Sequence, residues 1–278
     1  MFGAGSEMLN LAGYGPQLLK GTMTTVELSL ASLAVSFVIG LLGASAKLSK
    51  SRLLKGSATL YTTFIRGVPD LVIMLLLFYS LQIWLNDFTD WVNNTLQTIM
   101  SCPPGTSIGW PFSANASAWL AAHVTQWVND PNGPEYALPL DPFTSGVITL
   151  GFIYGAYFTE TFRGAFLAVH KGQLEAARAF GMKPGLVFRR ILFPQMMRYA
   201  LPGIGNNWQV ILKATALVSL IGLTDVVKVA QSAGEVTFRT FYFISMAGVV
   251  YLVLTVISDG ALLRLERKYS VGVRRAAL

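Results

Sequence analysis

Apolar residues fall into five long stretches along this chain, separated by short basic segments and by one long acidic segment. The first stretch runs from about Thr22 to Ala46 with few charges and no proline. At ~1.5 Å per residue a helix there reaches roughly 40 Å, enough to cross a ~30 Å hydrocarbon core with some tilt. The second begins at Leu60–Phe64, is interrupted at Arg66-Gly67-Val68-Pro69-Asp70, and resumes over Leu71–Leu85. It predicts one bent crossing. A proline within a span frees backbone groups that protein or water must satisfy, so the bend should face the protein interior. Three further stretches follow at about 143–169, 198–222 and 240–263. The expected fold is an all-α integral membrane protein with five transmembrane helices, forming a single transmembrane domain over 1–278.

Charge decides the topology. Lys47, Lys50, Arg52 and Lys55 follow the first stretch, Lys171, Arg178, Lys183, Arg189 and Arg190 follow the third, and Arg264, Arg267, Lys268, Arg274 and Arg275 close the chain. Residues 86–142 hold Asp87, Asp90, Asp130, Glu135 and Asp141 and not one Lys or Arg. Basic segments stay cytoplasmic. Five crossings with the N-terminus outside and the C-terminus cytoplasmic put all three basic clusters inside and leave 86–142 as a large external loop. That loop could fold as a cap, with amphipathic helices around 88–100 and 116–128 and Trp91, Trp110, Trp119 and Trp127 at the membrane interface. An insertion without a chemical role is the simpler reading of it.

Composition agrees and narrows the function classes. Of 278 residues 53% are hydrophobic and 13% charged, against about 25% charged in soluble domains, and the mean hydropathy is +0.52. The net charge of +7 sits in clusters between spans. It suits an anionic membrane surface rather than the continuous basic face of a nucleic-acid binder. Cys102 is alone, and His123 and His170 are far apart, so neither a disulfide framework nor a metal site is expected. The N-terminus lacks the basic start and short apolar core of a cleaved signal peptide.

The most informative segment is Gly172 to Pro194, GQLEAARAFGMKPGLVFRRILFP. It is too polar to span and lies on the cytoplasmic side. Its first part predicts a short surface helix with Leu174, Ala177 and Phe180 near one stripe and Glu175 and Arg178 on other faces. Ala176, Ala177 and Gly181 are small enough for another protein to approach closely. Pro184-Gly185 is expected to turn the chain, and Pro194 to mark where the next crossing starts. An amphipathic connector resting on lipid has the same spacing.

Glu175-Ala176-Ala177, then Gly181 after three residues, then Ile191-Leu192-Phe193-Pro194 after nine, resembles the EAA signature of bacterial ABC importer permeases. The signature usually ends Ile-x-Leu-Pro, and Phe193 replaces the leucine with another apolar side chain. The stretches 64–79, 154–169 and 196–223 look like the polar amino acid permease subfamily, including permeases for basic amino acids and opines. The resemblance covers nearly everything except 86–142, where that subfamily has a short loop. It implies that the short helix is a coupling helix, with Glu175, Ala176, Ala177 and Gly181 seated against an ATP-hydrolysing subunit. It also implies an ATPase dimer, a homologous second permease, a periplasmic solute-binding protein, and an inner-membrane location. The solutes implied are basic L-amino acids (histidine, lysine, arginine, ornithine) or opines. No Gly-x-x-x-x-Gly-Lys-Ser/Thr loop occurs here, so ATP and Mg would be bound by the partner ATPase and this chain would carry no cofactor and catalyse nothing itself.

Charged groups inside spans cost roughly 2.5–3.5 kcal/mol on insertion scales, so each invites a functional reading. Glu160 lies mid-span with Arg163 at i+3; Asp70 and Arg66 flank the bend at i, i+4; Lys213 sits in the fourth stretch. Glu160 or Asp70 could receive the cationic side chain of a basic amino acid. Internal pairs, Glu160 with Arg163 and Asp70 with Arg66, are the alternative. Asn206, Asn207 and Gln209 could bind a zwitterion or could join helices. An autonomous secondary transporter or channel is the competing class, though five crossings without an internal repeat fit it poorly. A membrane enzyme would need a convergent acid–base set, and the scattered charges offer none.

Overall fold

The computed structural model describes residues 13–100 and 141–269. These form helices α1 (Gly15–Leu48), α2 (Arg52–Gly67), α3 (Asp70–Met100), α4 (Pro142–Ala168), α5 (Lys171–Ala179) and α6 (Pro184–Val187). A π-helical turn, Phe188–Leu192, leads into α7 (Phe193–Val218), followed by the 3-10 turn Ser219–Ile221, α8 (Val226–Thr237) and α9 (Thr240–Tyr269). No strand occurs among the described residues. Contacts divide the chain into two compact units, Met1–Leu76 with Asp141–Leu278, and Leu77–Leu140. Every site described below lies in the first.

The first unit is organised around α1 and α4, the most extensively packed pair among the described helices. One stripe of α1 carries Thr25, Ser29, Ser32, Ser36, Gly40 and Ala44, all buried. Small residues at this spacing let two backbones approach until dispersion contacts hold them, which matters where lipid gives no hydrophobic drive between helices. The fit is reciprocal. A Cβ on Gly155 of α4 would lie 2.5 Å from Ile39 Cγ2 of α1, while one on Gly40 of α1 would strike Phe158 of α4. Inside α1, Thr25 and Ser29 return their hydroxyls to the carbonyls of Gly21 and Thr25, and Ser36 donates to Ser32. The polar stripe is therefore largely satisfied within its own helix.

Relative directions follow from the contacts. Val35, Ile39 and Gly40 meet Gly151, Gly155 and Phe158 in that order, so α1 and α4 run parallel. On α7, Gly203 faces Thr161 and Val218 faces Gly146, making α7 antiparallel to α4. On α9, Leu262 faces Gly205 and Tyr251 meets Thr215, making α9 antiparallel to α7.

By length and apolarity α1 and α9 can each cross a membrane, and the α2–α3 and α6–α8 runs qualify only as bent pairs. The 27-residue α4 is rich in small and polar side chains because protein, not lipid, surrounds it. The second stretch is broken at the expected place, and its two helices qualify together as one bent span or as a re-entrant loop. The axes of α2 and α3 turn by 114° at Val68-Pro69. Pro69 holds Val68 extended (φ −112°, ψ 144°), and that ends α2. At 16 residues α2 is shorter than the ~20 needed to span. Only Ala58, Thr62 and Ile65 are buried, while Arg52, Lys55, Leu53 and Leu60 are exposed. It is an amphipathic element.

Three other boundaries differ. The α3 helix continues unbroken to Met100, so the helix expected around 88–100 is an extension of the crossing, with Trp84, Phe88 and Trp91 stacked 5.9 and 6.0 Å apart along it. The helix expected at 116–128, with Trp110, Trp119 and Trp127, lies outside the described residues. The stretch after 222 holds an unforeseen helix, α8, capped by Asp225, whose side chain accepts from Lys228 N at 2.8 Å. Its Val226, Val229, Ala230 and Ala233 form a core with Leu18, Phe243 and Ala247. Last, Pro184 does not turn the chain but opens α6 at its first turn, where its missing N–H costs nothing.

Candidate solute site and coupling surface

The expected surface helix is α5. His170 caps it, its ring nitrogen Nδ1 accepting from Gly172 N at 3.2 Å. At the other end Met182 N donates to Ala177 O (3.1 Å) and Gly181 N to Arg178 O (2.9 Å). That pair of bonds is a Schellman closure, which requires a left-handed residue after the cap. Gly181 supplies it at φ +73°. The turn therefore falls at 180–183 and sends the chain directly into α6.

Burial sorts the four coupling candidates. Ala177 is buried, packing α5 onto its own chain together with Val187 of α6. Glu175, Ala176 and Gly181 are exposed. Gln195 Nε2 donates to Gln173 Oε1 and ties α5 to the start of α7. The expected Leu174–Ala177–Phe180 stripe breaks up, because Phe180 is the cap residue and leaves the helical phase. It stands 88% exposed. Phe180, Glu175, Ala176 and Gly181 are thus all exposed at this end of the segment.

The five solute candidates separate into two groups. Asp70 and Glu160 reach one polar cluster on the Tyr154–Tyr157–Glu160 face of α4. Glu160 is paired with Lys47 at the end of α1, and Arg163 approaches its other oxygen at 3.4 Å. Lys47 also donates to Thr62 Oγ1 of α2 at 2.6 Å. Sequence spacing points to Arg163 as the partner; the closer one, Lys47, is 113 positions away and only the parallel α1–α4 packing brings it there. Asp70 forms no ion pair with Arg66. Its two oxygens accept from Tyr154 (3.0 Å) and Tyr157 (3.2 Å), while the Arg66 guanidinium carbon stands 5.5 Å from the Tyr157 ring centroid.

Asn207 is buried and donates to Thr161 Oγ1 at 3.2 Å, so it joins α7 to α4. Gln209 donates to Asp259 of α9. Asn206 and Gln209 line an open cleft of about 370 Å³ between α7 and α9, with Pro202, Asp259 and Glu266. Sequence reasoning missed Tyr154 and Tyr157 as hydroxyl donors, and Lys47 and Asp259 as partners. The i, i+3 tyrosines before Glu160 were a usable signal; the two long-range partners left none. Among the described residues no grouping of His, Cys, Asp and Glu could hold a metal ion.

Comparison with known proteins places this architecture. The family model of the binding-protein-dependent transport system inner membrane component matches residues 36–271. The chain is 53% identical to the histidine/lysine/arginine/ornithine transport system permease protein HisQ of Escherichia coli (strain K12), over 96% of this chain and 100% of that protein. It is 34% identical to the octopine transport system permease protein OccQ of Rhizobium meliloti, over 96% and 98%. Among solved structures, an amino acid ABC transporter with histidines aligns at TM-score 0.67 and 27% identity, covering 94% of this chain and 98% of that one. The inward-facing MetNI methionine ABC transporter shares the fold at TM-score 0.59, 15% identity, and 91% and 95% coverage. An EAA segment shaped as an exposed, capped helix and a match spanning most of the length agree: the chain belongs to the binding-protein-dependent transport system inner membrane component family.

Proposed function

We propose that this chain is the transmembrane subunit of an ATP-driven importer that moves basic L-amino acids, or opines derived from them, from periplasm to cytoplasm. The observation that carries the reading is α5: a nine-residue helix with a built cap at each end and Glu175, Ala176 and Phe180 displayed to solvent, in a chain 53% identical over 96% of its length to a basic amino acid permease. In this reading α5 seats on one subunit of an ATPase dimer that binds ATP and Mg. A homologous second permease completes the pathway, and a periplasmic binding protein delivers the solute. The bias between outward and inward states comes from the different contacts α5 makes with the ATPase in each.

The five-crossing topology with the N-terminus outside belongs to the same proposal, supported by the parallel and antiparallel order of α1, α4, α7 and α9. So does the division of labour among the polar residues. Glu160, neutralised by Lys47, is scaffold, as are Asn207 and Gln209; Asp70, held among the described residues by the Tyr154 and Tyr157 hydroxyls, remains able to accept a cation. Asn206 faces the α7–α9 cleft and is a second polar contact along the route.

ATP-dependent uptake into proteoliposomes tests the proposal. The chain is assembled with its ATPase, partner permease and binding protein and offered labelled arginine, lysine, histidine and octopine. Uptake of at least one that requires ATP and collapses with Glu175→Arg is expected. Uptake by this chain alone, indifferent to ATP and to Glu175, would replace the importer with a secondary transporter.

A further inference from the structure

Arg66 and Asp70 are opposite charges four positions apart, a spacing at which an ion pair would ordinarily form on a continuous helix. They do not pair. Pro69 breaks the helix between them, and Tyr157 of α4 stands between the two groups with its hydroxyl on Asp70 and its ring beneath Arg66. Tyr154, buried, takes the other Asp70 oxygen. The nearby carboxylate Glu160 is engaged by Lys47 and Arg163. Among the described residues Arg66 thus has a π-face and a longer-range attraction to Glu160, but makes no ion pair. Arg66 is exposed, and its guanidinium presents a planar fork suited to a carboxylate.

We infer that Arg66, Tyr157 and Asp70 together form the receptor for the zwitterionic end of the transported amino acid, Arg66 binding the α-carboxylate and Asp70 the α-ammonium. Tyr157 is the positioning residue. It keeps the two charges apart by the width of one ring, so that each is drawn to the solute rather than to the other. The side chain of the solute then lies outside this clamp. One such site can accordingly serve several amino acids that share only their backbone end. This inference rests on the importer reading above and goes beyond it in assigning atoms.

The test is equilibrium binding to the purified permease–ATPase complex without the binding protein, so that discrimination by the binding protein is excluded. The probes are arginine and agmatine, which is arginine without its carboxylate. Wild type is expected to bind arginine at least about tenfold more tightly than agmatine, roughly what one good charge-assisted contact contributes. Arg66→Gln should weaken arginine by that factor and leave agmatine unchanged, erasing the preference. Arg66→Lys, which keeps the charge, should retain part of it. Tyr157→Phe keeps the ring and loses the hydroxyl, and should weaken both ligands while preserving the preference. Equal loss of both ligands in Arg66→Gln, or an unchanged preference, overturns the inference. A wild-type complex that binds arginine and agmatine equally overturns it while leaving the importer reading intact. A wild type that binds arginine but shows no ATP-dependent uptake sinks the importer reading instead.

Discussion

The α1–α4 seam and the α5 surface are both made of small residues, and they use them for opposite ends. Along the seam Gly40, Gly155 and the buried serines are small because two helices of one chain have closed on them. On α5 and its closing turn, Ala176 and Gly181 are small and remain exposed among the described residues. A small residue buried at helical spacing is a finished contact; the same residue left bare is a contact awaiting its other half. Burial, not residue type, separates the packed seam from the surface to which the proposed coupling is assigned.

Substitutions can break this contrast, beginning with the seam. Gly155→Leu would drive a branched side chain into Ile39 and Tyr61. Neither backbone can retreat, so we expect no monodisperse complex to be extracted from membranes. Recovery of normal amounts would show that the seam is plastic. Glu175→Arg should behave inversely. Protein level and melting temperature stay at wild-type values while ATP-dependent uptake falls about tenfold or more, within the usual range of coupling free energies. A parallel fall in melting temperature would move Glu175 from the coupling surface to the fold.

The polar cluster lies between these extremes. Lys47→Met should lower the melting temperature by leaving Glu160 without its close partner, and Lys47→Met with Glu160→Gln should regain part of the loss. Under that scaffold role Glu160→Gln depresses uptake of arginine, lysine and histidine alike; a selective loss of arginine and lysine would instead make Glu160 a solute contact. Gly181→Ala forces an L side chain into the left-handed region at a cost of about 1–2 kcal/mol, and should weaken coupling by less than Glu175→Arg while leaving unstimulated ATPase activity in place. The smallest effect is expected at Ser32, whose buried hydroxyl finds no partner among the described residues. Ser32→Ala should leave stability within about 0.5 kcal/mol of wild type, or raise it. A larger loss would reveal a contact made only in the assembled transporter.

These contrasts also mark what was legible in the chain. Long apolar runs foretold the helices, because they follow from the solvent preference of the sequence alone. The EAA spacing foretold α5, because its cap and its Gly181 turn are local. Lys47–Glu160 and Gln209–Asp259 were hidden, since which distant residues meet depends on the packing of glycines that no periodicity encodes. The α2–α3 corner was half visible: Pro69 announced a break, while its 114° turn depends on α2 finding a surface for Ala58, Thr62 and Ile65. The α8 helix went unseen for a related reason. It is a 12-residue element, too short to register as a span, and it holds its shape through Asp225 at one end and the Leu18–Phe243 core beneath.

The continuity of the chain beyond α5 has a mechanical consequence. From Pro184 the backbone stays helical through the π turn and α7 to Val218 without a non-helical link, a rod of roughly 50 Å at 1.5 Å per residue. Gln195 clamps the near end of that rod to α5, so a push on the surface helix has no slack to take up before α7 moves. Pro202 is the proline inside α7, a place where the rod can yield by flexing rather than breaking. Displacement applied below Pro202 arrives above it as a change of tilt, in the half of α7 that carries Asn206 and Asn207.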